Sequence, residues 1–352
     1  MRGLAPMPLA RWMRRLCIAG VILCFAVVVL GGYVRLTAAG LGCPDWPGCY
    51  GHATPLGAEH LPQAQAAYPD HPLIAGKAWR EMIHRYAAGM LALVVLVIAV
   101  LAVGARRQRL ASVPLTIALL VIVLAQAILG MLTVTWQLKP LVVTLHLLFG
   151  LTTLGLLWWL TLSLPVTSWG AASLHSAGRA IRGGASYTTA WRLTVVALAA
   201  LGVQIALGGW TSSNYAALAC PDFPTCQRAW WPPMSLRSAF VLWRGLNIDY
   251  EGGVLGSAAR VAIHVTHRIG ALVAACALAL AALYVLRQRG LAPAQARAWA
   301  VLAALVLQLT IGISMVVRGL PLWLATAHTA GAALLLLATL ALLRSLSARA
   351  PP

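Results

Sequence analysis

Apolar residues run along this chain in long unbroken blocks. They do not show the 3.6-residue or two-residue alternation of a half-buried helix or strand. A helix crosses a hydrocarbon core with about 20 apolar residues. Eight blocks reach that length, near 13–36, 80–103, 113–135, 141–164, 191–213, 259–286, 296–317 and 322–344. Only helices and closed barrels satisfy their backbone groups in lipid, and blocks without alternation predict helices. The chain therefore reads as an all-α membrane protein with eight transmembrane helices. The first block follows Arg14 and Arg15, as a secretion leader would. Its apolar stretch, Leu16 to Gly32, is longer than a leader core of about 7–15 residues, and seven more blocks follow, so a span is expected.

Composition agrees. Apolar residues make up 61% of the 352 and charged ones 9%, against about 25% charged in soluble domains. That excludes a soluble enzyme and a disordered chain. The net charge of +19 comes from 26 Lys+Arg against 7 Asp+Glu. In a soluble domain it would suggest nucleic acid. Here it reports membrane topology, so the expected partner is the lipid bilayer, with no nucleic acid. With the N-terminus inside, that side holds Arg2, Arg11, Arg14, Arg15, Arg106, Arg107, Arg109, Arg179, Arg182, Arg192, Arg287, Arg289, Arg297, Arg344 and Arg349, and no acid. The positive-inside rule then predicts both termini cytoplasmic. The chain becomes a multi-pass protein of the cell's inner (plasma) membrane, with the long connections 37–79 and 214–258 on the outer, periplasmic side.

The two halves repeat. Gly31-Gly32 and Cys43-Pro44-Asp45-Trp46-Pro47-Gly48-Cys49 return as Gly208-Gly209 and Cys220-Pro221-Asp222-Phe223-Pro224-Thr225-Cys226, both displaced by 177 residues. His84-Arg85 returns as His267-Arg268, Gln126 and Gly130 as Gln308 and Gly312, and His146 as His328. The expected architecture is two tandem pseudo-symmetric four-helix bundles. Residues 1–164 form the N-terminal half, 165–190 a cytoplasmic linker and 191–352 the C-terminal half.

Four of the nine histidines, His84, His146, His267 and His328, sit inside spans at repeat-equivalent depths near the outer face. Intramembrane ionisable residues are expensive and mark function. Two neutral imidazoles facing each other in a bundle suit the axial positions of a haem iron. Zinc would want further ligands, and neither half offers them. Arg85 and Arg268 each follow a histidine; a guanidinium there fits a haem propionate or snorkels to headgroups. Glu81 lies three residues before His84 on the same helix face, where the second half has His264. A carboxylate beside a porphyrin can move protons, so the N-terminal half is expected to do chemistry and the C-terminal half to carry electrons.

Cys43/Cys49 and Cys220/Cys226 each enclose five residues, two of them proline. On an oxidising face they are expected to form two disulfides, as loop staples or as a thiol relay. Cys17, Cys24 and Cys276 lie in spans and read as small apolar fillers. Trp230, Trp231 and Trp243 suggest an interfacial lid or re-entrant segment within 214–258. These residues leave two classes open: an oxidoreductase acting on a bound porphyrin, and an electron-transfer cytochrome with a permanent b haem in each half.

The segments Gly31 to Pro47, Glu81-Met82-Ile83-His84-Arg85, Thr144-Leu145-His146, His267-Arg268 and Ala327-His328 resemble the haem A synthase family. The resemblance extends over all eight helices; Ala39 departs from it, standing where the family usually has serine. It implies an oxidoreductase that converts haem O to haem A, oxidising the C8 methyl to a formyl by successive hydroxylation. It also implies that His267 and His328 ligate a haem B cofactor, that His84 and His146 hold the substrate haem O, and that Glu81 is catalytic. The cysteine pairs match the members with outer-loop disulfides. The implied partners are haem O, an electron acceptor of unknown identity and the haem O synthase acting one step earlier.

Overall fold

The computed structural model describes residues 7–60, 62–69, 71–108, 110–164 and 185–347. The apolar blocks form eight long helices: α1 (Met7–Leu36), α2 (Ala75–Gly104), α3 (Val113–Thr135), α4 (Pro140–Ser163), α5 (Ala185–Ser213), α6 (Ser257–Arg287), α7 (Ala292–Val317) and α8 (Leu322–Leu346). All eight are long and apolar enough to cross a membrane, and the chain is an all-α, multi-pass membrane protein. Prolines open α3, α4 and α7 at their first or second position, where the missing N–H has no partner to lose.

Three helices start five or six residues earlier than hydropathy suggests, α1 among them at Met7. α2 begins at Ala75 and takes in Lys77, Arg80 and Glu81 before the apolar run; α5 begins at Ala185. Helical hydrogen bonds continue through polar turns beyond the apolar stretch. Of the linker expected over 165–190, residues 185–190 therefore belong to α5, and 165–184 lie outside the described residues. Arg2, Arg109, Arg179, Arg182 and Arg349 also lie outside them.

In each half the helices close into a ring. α1 packs on α2 and α4, and α3 packs between α2 and α4; α5, α6, α7 and α8 repeat this order. The rings meet where α1 packs on α8 and α4 on both α5 and α8. One apolar core fills the end of both rings nearest the N-terminus, with Met13, Leu154, Leu278 and Leu342 at 0–1% exposure. Alanines on facing helices, among them Ala197, Ala281, Ala298 and Ala333, let the backbones approach closely. Cys17 and Cys24 fill this core as expected, whereas Cys276 is exposed on α6 and fills no gap.

The duplication is visible in the backbone. Left-handed residues pair across the repeat: Ala38 with Tyr215, Tyr50 with Gln227, Gln137 with Gly319 and Leu138 with Leu320. The last four form the tight turns α3–α4 and α7–α8. Gln137 (φ 48°) and Leu138 (φ 58°) adopt there a conformation that disfavours non-glycine residues.

The long connection 214–258 forms a strap between the halves. Trp243 packs edge-on against Trp136, at 5.7 Å between ring centres. Lys139, only 1% exposed, lies 3.1 Å from the centre of the Trp243 ring and donates to the Gly245 carbonyl. The Tyr250 N–H donates to the Gln137 carbonyl at 3.1 Å. Trp230 and Trp231, by contrast, are 77% and 71% exposed. Replacing Lys139 by Met should free the strap at a cost of about 1–3 kcal/mol. Faster proteolytic cleavage within 241–250 of the detergent-solubilised protein would register it; unchanged cleavage would show that Lys139 does not hold the strap.

Candidate functional site

The four intramembrane histidines sit at the end of the rings opposite the apolar core. Each is on an even-numbered helix, and each faces a glycine on a neighbouring odd-numbered one. A Cβ on Gly31 would fall 2.9 Å from His84 Cε1, on Gly130 3.3 Å from His146, on Gly208 3.2 Å from His267 and on Gly312 2.9 Å from His328. The missing side chains make room for the rings. Within the N-terminal ring, α2 and α4 stand diagonally, and His84 meets His146 with ring centres 6.5 Å apart and planes at 76°. Two imidazoles sharing one metal through nitrogen bonds of about 2 Å have ring centres about 6 Å apart. The spacing therefore fits an iron between them. The Nδ1 atoms of His84, His146 and His328 are buried without a hydrogen-bond partner. Such groups carry a penalty in a low-dielectric interior unless a bound group justifies them. Among the described residues no three of His, Cys, Asp and Glu cluster as a zinc site would require.

Glycine doublets serve both sides of α1 and α5. While Gly31 faces His84, Gly32 turns to the other half, where a Cβ would lie 3.1 Å from Thr329 Oγ1. While Gly208 faces His267, Gly209 abuts Leu147 and Thr144. The doublet repeated because two close approaches are needed a residue apart.

Both cysteine pairs form disulfides, Cys43–Cys49 and Cys220–Cys226. The aspartate within each Cys-Pro-Asp builds the turn after the second cysteine. Asp45 accepts from the Tyr50 and Gly51 N–H groups at 2.6 and 2.8 Å. Asp222 accepts from Gln227 and Arg228 at 2.6 and 3.0 Å. The Thr225 hydroxyl, with those N–H groups behind it, holds the Asp222 carboxyl below the usual aspartate range against some desolvation.

Arg85 and Arg268 are turned to these loops. Arg85 Nη1 donates to the carbonyls of Asp45 (2.9 Å), Pro47 (3.2 Å) and Gly48 (2.5 Å). Arg268 donates to the equivalent Asp222 (2.8 Å) and Thr225 (2.7 Å) carbonyls and to Cys220 (3.0 Å). Each arginine thus clamps a disulfide loop over the helix that carries its own histidine.

The halves differ at Glu81. It is 4% exposed, accepts from the Cys43 N–H at 2.9 Å and pairs with Arg85 Nη2 at 2.5 Å. Its counterpart His264, also 4% exposed, places Nδ1 3.1 Å from the Ala216 carbonyl. The N-terminal half therefore holds a buried carboxylate one helical turn from a histidine pair, tied to a disulfide loop. The C-terminal half has only imidazoles there.

One residue escaped sequence reading. Gln204 lies against His267, its Nε2 3.0 Å from Nδ1 and 3.1 Å from the backbone carbonyl. The available signal was Gln-x-x-x-Gly, present at 126–130, 204–208 and 308–312.

A duplicated eight-helix membrane protein with two histidine-bearing rings is the class these features define. The model of the cytochrome oxidase assembly protein family matches residues 14–340. The heme A synthase of Shewanella oneidensis is 43% identical over 332 residues, 93% of each chain. Those of Beijerinckia indica (29% identical, 93% of this chain and 90% of the relative) and Geobacillus kaustophilus (25%, 86% and 81%) are similar along most of their length. The chain belongs to the haem A synthase family.

Proposed function

We propose that the protein oxidises haem O to haem A, converting the C8 methyl to a formyl by successive hydroxylation. The observation that carries this reading is the asymmetry between two otherwise matched histidine sites: Glu81 in one, His264 in the other. The substrate haem O lies between His84 and His146, whose 6.5 Å ring separation suits a shared iron. Glu81, held by the Cys43 N–H and Arg85, stands ready to take a proton from the reacting group. The disulfide loop above it keeps this carboxylate out of bulk water.

His267 and His328 hold haem B in the C-terminal half. When bound, that cofactor supplies one-electron redox chemistry, and the oxidation needs such an outlet. Arg268, whose Nε is a buried donor without a partner, would be available to a haem propionate. The histidine sites and loops then face the periplasm, and an electron acceptor docks on that side or within the inner membrane. The haem O synthase is the natural donor of substrate.

A second reading, a cytochrome with two permanent b haems, draws on the same matched histidine pairs. Extraction of haem from the protein expressed with a haem O supply, followed by mass analysis, separates the two. Haem B together with haem O, a hydroxylated haem or haem A supports the enzyme. Haem B alone, at two per chain, overturns it in favour of the cytochrome.

A further inference from the structure

Three of the four histidines are gripped by a glutamine, and one is not. Gln126, Gln204 and Gln308 each stand four residues before the glycine that faces a histidine. Gln126 Nε2 donates to the His146 carbonyl at 2.8 Å, Gln204 to that of His267 at 3.1 Å and Gln308 to that of His328 at 3.1 Å. Two of these amides also reach the ring, 3.0 Å from His267 Nδ1 and 3.3 Å from His328 Nε2. A notch in the histidine helix admits each amide. A Cβ on Gly270 would fall 2.4 Å from Gln204 Oε1, one on Gly331 2.2 Å from Gln308 Oε1 and one on Gly150 3.2 Å from Gln126 Nε2.

The fourth site breaks the pattern on both helices. Val27 stands four residues before Gly31, and Ala87 stands three after His84, where Gly270 and Gly331 follow theirs. The Oε1 atoms of all three glutamines are buried without a partner, as is Nδ1 of His84, His146 and His328. An imidazole that binds metal through one nitrogen offers N–H at the other, and an acceptor for it fixes the ring. Gln126 and Gln308 hold the backbone carbonyls of His146 and His328 and carry beside them an Oε1 with no partner of its own. His84 has an isopropyl group at the equivalent position.

We infer that Gln126, Gln204 and Gln308 are positioning residues that lock His146, His267 and His328, and that the unbraced His84 is the ligand that lets go when haem leaves the N-terminal half. This rests on the haem reading above. Two braced ligands make the C-terminal site permanent. One braced and one unbraced ligand make a site that keeps its iron oriented yet can pass on its product.

The test uses the full-length protein in detergent, with both halves loaded with haem B, and an excess of apomyoglobin as haem acceptor. The wild-type protein should release one haem quickly and one slowly. Val27→Gln with Ala87→Gly should slow the fast phase about tenfold, and Gln204→Val should speed the slow phase by a similar factor. The low-spin resonance of the C-terminal haem should shift in Gln204→Val and stay in place in the Val27→Gln protein. Should Gln204→Val fail to fold, Gln204→Asn retracts the amide by one methylene and should speed the slow phase in the same direction. Equal release of both haems by the wild-type protein, or unchanged rates in the variants, overturns the inference while leaving the haem sites standing. A protein that takes up no haem with bis-histidine spectra overturns the inference and the functional reading together.

Discussion

Glu81→Gln should lower haem A output by about 100-fold or more while leaving haem content unchanged. The substitution keeps the side chain's size and one oxygen to accept from the Cys43 N–H, now 2.9 Å away. It removes the charge facing Arg85 and the capacity to take a proton. Glu81→Ala removes the loop contact as well, so it tests something different. If Glu81 acts only as a prop for the disulfide loop, Gln should restore what Ala loses. If it acts on the substrate, Gln and Ala should fail alike, with the Cys43–Cys49 disulfide intact in the Gln variant. Haem A production in cells lacking their own synthase, set beside haem per purified chain, distinguishes these. Normal output from Glu81→Gln would remove the carboxylate from the mechanism and strengthen the cytochrome reading.

The second large effect is steric and selective for one half. Gly31→Val places atoms where His84 Cε1 already lies 2.9 Å from a Cβ position, and Gly312→Val does the same to His328. Overpacking of this kind costs about 1–3 kcal/mol, enough to displace a ring without unfolding eight helices. Gly31→Val should empty the N-terminal site about tenfold or more and spare the C-terminal one; Gly312→Val should do the reverse. Haem stoichiometry and low-spin spectra of each purified variant read this directly. Loss of both haems from either variant would mean that the two rings are not independent binding units.

The eight helices were legible because membrane hydropathy is a local signal, needing only 20 or so consecutive residues. The histidines and cysteines were legible because the chain states its pattern twice. What escaped depended on chain segments far apart in sequence. Arg85 reaches carbonyls 37–40 residues earlier, and no periodicity announces that a guanidinium next to a histidine will spend its donors on a loop. The strap was hidden for the same reason: Lys139 and Gly245 belong to different halves. Gln204 was missed through the repeat itself. Comparing halves singles out residues present in both, and its counterpart in α1 is Val27. The early start of α2 at Ala75 was missed because Lys77 and Arg80 look like the end of a span, although a helix can continue past the lipid.

The glycine doublets also bear on how far apart the two sites are in bonds rather than in ångströms. Gly31 touches the His84 ring, Gly32 is its covalent neighbour, and Gly32 abuts Thr329, which is bonded to His328. The mirror route runs from His267 through Gly208 and Gly209 to Leu147 and so to His146. Each route crosses the seam between the halves with a single through-space step, and at that step one partner is bare backbone. Side chains at 32 and 209 would do more than push the rings apart. They would lengthen the step at which the route between the two histidine pairs passes from one half to the other.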